Sequence, residues 1–126
     1  MKKKKTLLAL TAFISLSAFS LSASAASTTG SVTSYKSQNA AQSIKLTGSG
    51  KYMKLTCTYT GSSDGTGYCS VYEIGGSGSA DLTVSSTNKT ASTDVWMNKG
   101  KTYLLQADDE WYSPAGSYVT ATIKER

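Results

Sequence analysis

The chain contains no histidine. That absence removes Ser-His-Asp and Cys-His nucleophilic catalysis, and with them any His-ligated zinc site. There is one proline, Pro114, and there are two cysteines, Cys57 and Cys69. Both phenylalanines, Phe13 and Phe19, lie near the N-terminus. Every aromatic side chain beyond residue 25 is therefore a tyrosine or a tryptophan, with a polar tip that suits half-buried sheet faces and exposed stacking surfaces alike. No apolar run beyond that point is long enough to cross a bilayer as a helix. A strong charge of either sign is missing too, because most of the formal net charge of +5 is carried by Lys2 to Lys5.

What stands at the N-terminus has the layout of a secretory signal peptide. Lys2 to Lys5 form a charged region, an apolar stretch runs from Leu7 to Leu21, and Ala23-Ser24-Ala25 closes it with small residues. The lysine-rich start and short apolar stretch are of bacterial kind. Residues 1–25 are read as the signal peptide and residues 26–126 as a single secreted domain, near the commonest domain size. Its nine basic and eight acidic side chains give no footprint for nucleic acid and no drive towards membrane insertion. No cysteine sits at the cleavage site and no hydrophobic tail ends the chain, so a freely released, extracellular protein is expected.

Serine and threonine make up 31 of those 101 residues, and Gly-rich turns separate short alternating stretches. Strands are predicted at 31–36, 42–47, 51–60, 67–74, 81–86, 93–97, 102–107 and 118–124. About eight short strands with no helix indicate an all-β fold, a small antiparallel β-sandwich or barrel. Large aliphatic residues are few, so Trp96 and some of the tyrosines are expected to complete the core.

Cys57 and Cys69 are expected to form a disulfide in an exported chain, since eleven intervening residues fit no C-x-x-C motif. Met53, Leu55, Cys57 and Tyr59 share one face of their strand, and Cys69 and Val71 share a face of the next. Folding these two strands as a hairpin sets Cys57 opposite Cys69 and Leu55 opposite Val71. Glu73 opposite Met53 is the misfit. Asn98-Lys99-Gly100-Lys101 reads as a second hairpin turn, with glycine available for positive φ.

The second half of the chain resembles the jelly-roll or prepeptidase-type accessory domains of secreted bacterial proteins. The matching stretches are Asn98-Lys99-Gly100-Lys101-Thr102-Tyr103-Leu104 and Gly116-Ser117-Tyr118-Val119-Thr120-Ala121-Thr122-Ile123. The resemblance implies a jelly-roll-like sandwich. It assigns no functional residue.

The most distinctive segment is Ala107-Asp108-Asp109-Glu110-Trp111-Tyr112-Ser113-Pro114-Ala115-Gly116. Three readings of it compete. Trp111 and Tyr112 stack on a sugar face while Asp108 or Asp109 accepts hydrogen bonds from its hydroxyls. Alternatively, Asp108, Asp109 and Glu110 hold Ca²⁺, although no D-x-D-x-D-G loop is present. In the third, Trp111 folds back over one end of the sandwich and the acids face water. A second feature is a tyrosine face. Tyr68 and Tyr72 point away from Cys69 and Val71 and, in the hairpin register, join Lys54, Thr56 and Thr58. That face is either an exposed platform or is covered by another sheet.

The function expected is non-catalytic binding of carbohydrate or a cell-wall or surface polymer through Trp111, Tyr112, Asp108 and Asp109. Asp108 with Glu110 as a glycosidase pair is disfavoured, because a domain this small has no obvious cleft. Two readings from other classes remain open. One is a small secreted effector, antimicrobial or enzyme-inhibiting. The other is a structural subunit of a surface layer or matrix.

Overall fold

The structure, a computed structural model, describes residues 27–126, so the expected signal peptide lies outside the described residues. Eight strands form it: β1 (Gly30–Tyr35), β2 (Gln42–Thr47), β3 (Lys51–Thr60), β4 (Thr66–Glu73), β5 (Ser79–Ser85), β6 (Thr90–Met97), β7 (Thr102–Asp109) and β8 (Tyr118–Glu125). One turn of 3₁₀ helix, Lys36–Gln38, follows β1. The strands make two antiparallel sheets of four, in the orders β1-β8-β3-β6 and β2-β7-β4-β5. The fold is the all-β sandwich expected.

The pairing has a simple rule. β1 pairs with β8, β2 with β7, β3 with β6 and β4 with β5. A long antiparallel double strand is thus rolled up, with β4–β5 at its tip and successive pairs falling in alternate sheets. The β3–β8 and β4–β7 ladders then close each sheet. This is the jelly-roll arrangement.

The rule corrects three expectations. β3 and β4 form no hairpin, because they lie in different sheets. The segment 98–101 is likewise no hairpin turn, since it carries the chain from β6 in the first sheet to β7 in the second. Trp96 is not a core residue: it lies on the outer face of β6 and is half-exposed.

The core follows from period-two alternation on both sheets. The first sheet turns inward Val32, Met53, Leu55, Cys57, Tyr59, Val95, Met97, Val119, Ala121 and Ile123. The second contributes Leu46, Cys69, Val71, Val84, Tyr103, Leu105 and Ala107. The Cys57–Cys69 disulfide forms as expected, but it ties one sheet to the other across the interior. Its neighbours explain how the sheets come near enough. Cys57 is flanked in register by Ala91 and Ala121, and Cys69 by Ala107 on one side and Leu82 on the other. With three of these four neighbours alanine, the bridge spans a Cα–Cα distance of 5.6 Å.

The serine and threonine content also finds a place. Outer positions of β1 and β8 pair hydroxyl with hydroxyl, Thr33 with Thr120 at 2.9 Å and Ser31 with Thr122 at 3.1 Å. Such cross-strand pairs stabilise a solvated sheet face by a few tenths of a kcal/mol each, on the order of the usual value.

The two ends of the sandwich are closed by polar groups around a buried tyrosine. At one end Tyr59 packs against Gly61 and Gly65 so closely that any side chain at Gly65 would collide with its ring. At the other, the Tyr103 hydroxyl accepts from the Asn98 backbone N–H at 2.7 Å and donates to Glu73 Oε1 at 3.3 Å. Glu73, the misfit of the expected hairpin, therefore ends β4 as an acceptor for the turn between β6 and β7.

Candidate binding surface

The site begins where β7 ends. Asp108 and Asp109 are successive strand residues, so they leave opposite faces of the second sheet. Asp108 points outward and is half-buried, whereas Asp109 points into the sandwich end and is 5% exposed. Asp109 Oδ2 accepts from Ser117 Oγ at 2.6 Å, and the Asp109 backbone N–H donates to Ser34 Oγ at 3.3 Å. Ser34 in turn donates to the Ala40 carbonyl at 3.0 Å. Asp109, expected among the ligand contacts, is thus an internal fastening for the loop that follows it.

That loop, 110–117, is held down along its length. Glu110 N–H donates to the Thr66 carbonyl at 3.0 Å. The Ser113 hydroxyl donates to the same carbonyl and accepts from the Thr66 N–H, both at 3.1 Å. Lys36 N–H donates to the Ser117 carbonyl at 3.0 Å, and Lys36 Nζ reaches the Trp111 carbonyl. The backbone is anchored to β4 and to the 3₁₀ turn while the aromatic tips are left out. Trp111 is 75% exposed, so it does not fold over the sandwich end. It meets Tyr112 edge-to-face, with ring centroids 5.6 Å apart.

Register brings a further set of residues beside the loop. On the outer face of the second sheet, Tyr68 lies between Asp108 and Thr83, Ser70 between Gln106 and Asp81, and Tyr72 between Leu104 and Ser79. Tyr68 and Tyr72 are both exposed, and the small Ser70 sits between them. An open furrow of about 350 Å³ runs here, bordered by Tyr68, Ser70, Asp81, Thr83, Gln106 and Asp108. The Tyr68 hydroxyl is held above the usual tyrosine range, chiefly by the Glu110 carboxylate, then by burial, Tyr112 and Asp108. Tyr68 thus joins the loop to the furrow. Aromatic and acidic residues border the furrow, and among the described residues no lysine or arginine lines it.

Of the expected residues, Trp111, Tyr112 and Asp108 come together on one surface and Asp109 does not. Tyr68 and Tyr72 are exposed, yet they share no face with Lys54, Thr56 and Thr58, which stand on the outside of the other sheet. The three acids 108–110 do not converge, since Asp108 and Asp109 project to opposite sides. Among the described residues no group of three His, Cys, Asp or Glu side chains is placed to hold a metal ion. Sequence reasoning missed Asp81, Thr83 and Gln106. Each was visible as the outward position of an alternating strand, but only strand order makes them neighbours of Tyr68.

No protein-family model matches the chain, and a search of curated proteins finds no match to it.

Proposed function

We propose that the protein is an exported, non-catalytic binding module that holds a carbohydrate chain of a cell wall or surface polymer across the furrow and the 110–117 loop. The observation that carries this reading is the junction at Tyr68. There an exposed tyrosine lies in register between Asp108 and Thr83 on the sheet, and its hydroxyl feels the charge of Glu110 on the loop. Rings supply apolar faces, and hydroxyl, amide and carboxylate groups beside them supply placed hydrogen-bond partners. A shallow, open furrow suits an extended chain better than an enclosed reaction. With Asp81 and Asp108 lining it, and no cation lining it among the described residues, the furrow favours neutral or amino sugars over acidic ones. Export is supported by the signal-like residues 1–25 and by the Cys57–Cys69 bridge.

The test is retention of the oxidised protein, residues 26–126, on insoluble polysaccharides and purified cell walls. Trp111→Ala and Tyr68→Ala are each expected to weaken retention about tenfold, the usual cost of removing a central aromatic contact. A chelator should leave it unchanged. Wild-type retention by both variants would overturn the site. Failure to bind any polymer would move the assignment to a protein partner.

A further inference from the structure

The outer face of the first sheet carries a second aromatic surface. Tyr52 of β3 and Trp96 of β6 are direct cross-strand partners. Their rings meet edge-to-face with centroids 5.2 Å apart, and each is about half exposed. Both are set in place before any ligand arrives. Trp96 Nε1 donates to Asn98 Oδ1 at 2.8 Å, Asn98 Nδ2 donates to Glu73 Oε1 at 3.0 Å, and the Arg126 guanidinium lies 5.7 Å from the Tyr52 ring centroid. These rings border a broad, shallow depression of about 760 Å³ that is open to solvent.

The lining here, unlike that of the furrow, carries cations, three against two acids. Lys51, Lys54 and Arg126 line the depression against Asp94 and Glu125, and Lys124 stands beside Lys54 across the β3–β8 ladder. The ion pairs are exposed: Lys51–Glu125 at 2.9 Å, and Lys54 and Arg126 sharing Asp94 at 3.5 Å. Exposed pairs of this kind hold their partners weakly, so the cations are free to turn to an incoming anion. An arginine fork beside an aromatic face matches a sugar ring that bears an oxyanion able to accept two N–H donors.

We propose that this patch is a second ligand site, for a sugar polymer carrying carboxylate or sulfate groups, which makes the domain bivalent. It shares no residue with the furrow, so the patch stands independently of the reading of that site, and only the bivalency rests on it. The two lie on opposite sheets. One molecule then bridges two chains of different charge.

The experiment compares retention of the same protein on polygalacturonate, its methyl ester and dextran sulfate at physiological salt. Retention is expected on polygalacturonate, dextran sulfate or both, the pair separating carboxylate from sulfate, and to fall sharply on the ester. Trp96→Ala and Arg126→Gln should each weaken it about tenfold, while Trp111→Ala leaves it unchanged. Arg126 is exposed and lies outside the strands, so its variant reports on the site without disturbing the fold. The proposal is overturned by no retention on either anionic polymer, by equal retention on the ester, or by retention that survives in both patch variants. Equal loss in Trp111→Ala would mean one site rather than two. Concentration-dependent growth in light scattering, abolished by Arg126→Gln, would assign the patch to self-association and overturn it as well.

Discussion

Ser117 donates its hydroxyl to a carboxylate that has almost no access to water. Among the described residues Asp109 Oδ1 has no partner, so the 2.6 Å bond from Ser117 to Oδ2 and the Ser34 contact hold the side chain and its backbone. Removing a partner from a buried polar group costs more than the bond itself contributes, because the group left behind stays desolvated. Ser117→Ala is expected to lower unfolding free energy by about 1–3 kcal/mol in urea denaturation. It should also loosen the loop whose base Ser117 closes, and so weaken retention through Trp111. A stability unchanged within error would show that Asp109 is not a fastening. At this scale the sequence showed the residue types but not their direction. Asp108 and Asp109 are identical side chains one position apart. Their different fates depend on where β7 stops, and alternation inside a loop cannot be read once the strand end is misplaced by two residues.

The disulfide is best understood as a property of two elements. Cys57 sits in β3 and Cys69 in β4, and no ladder joins those strands. The bridge fastens sheet to sheet where Ala91, Ala107 and Ala121 leave room. Closing a loop of this size should stabilise the fold by about 3 kcal/mol on the chain-entropy account. Reduction is expected to lower the urea midpoint by a corresponding amount. Hydrogen exchange in the reduced form should quicken in both sheets, since the tie between them is lost. Faster exchange confined to β3 and β4 would instead fit a local hairpin staple. The pairing of the two cysteines was legible because there are only two and the inward alternation of each strand agrees with it. The hairpin was not correct because a polar, glycine-rich connection reads the same whether it turns back within a sheet or crosses to another.

The whole molecule is closed at its ends by Tyr59 and Tyr103, and both hydroxyls are raised above the usual tyrosine range, first of all by burial. The sign of the consequence follows from linkage. Near pH 10 and above, unfolded tyrosines lose their protons while these two keep theirs. The unfolded state then binds fewer protons than the folded state, so stability falls as pH rises. Below the unfolded value both states are protonated and these groups add no pH dependence. A thermal unfolding series across the alkaline range should show this decline, and Tyr59→Phe should make it shallower. An unchanged slope in the variant would remove Tyr59 from the account.

The sequence by itself determined the things that depend on neighbours along the chain. Period-two alternation set Met53, Leu55, Cys57 and Tyr59 on one face and Cys69 with Val71 on another, turn chemistry marked the strand ends, and the cysteine pair had one partner each. The tertiary structure alone decided which outward faces stand together. Tyr68 came to lie beside Asp108, and Tyr52 beside Trp96, because strands distant in sequence are adjacent in each sheet. Side-chain alternation is a local consequence of backbone geometry, whereas strand pairing is a competition among many registers of similar hydrophobic merit. In a jelly roll, most consecutive strands go to opposite sheets, so proximity along the chain misleads about proximity in space.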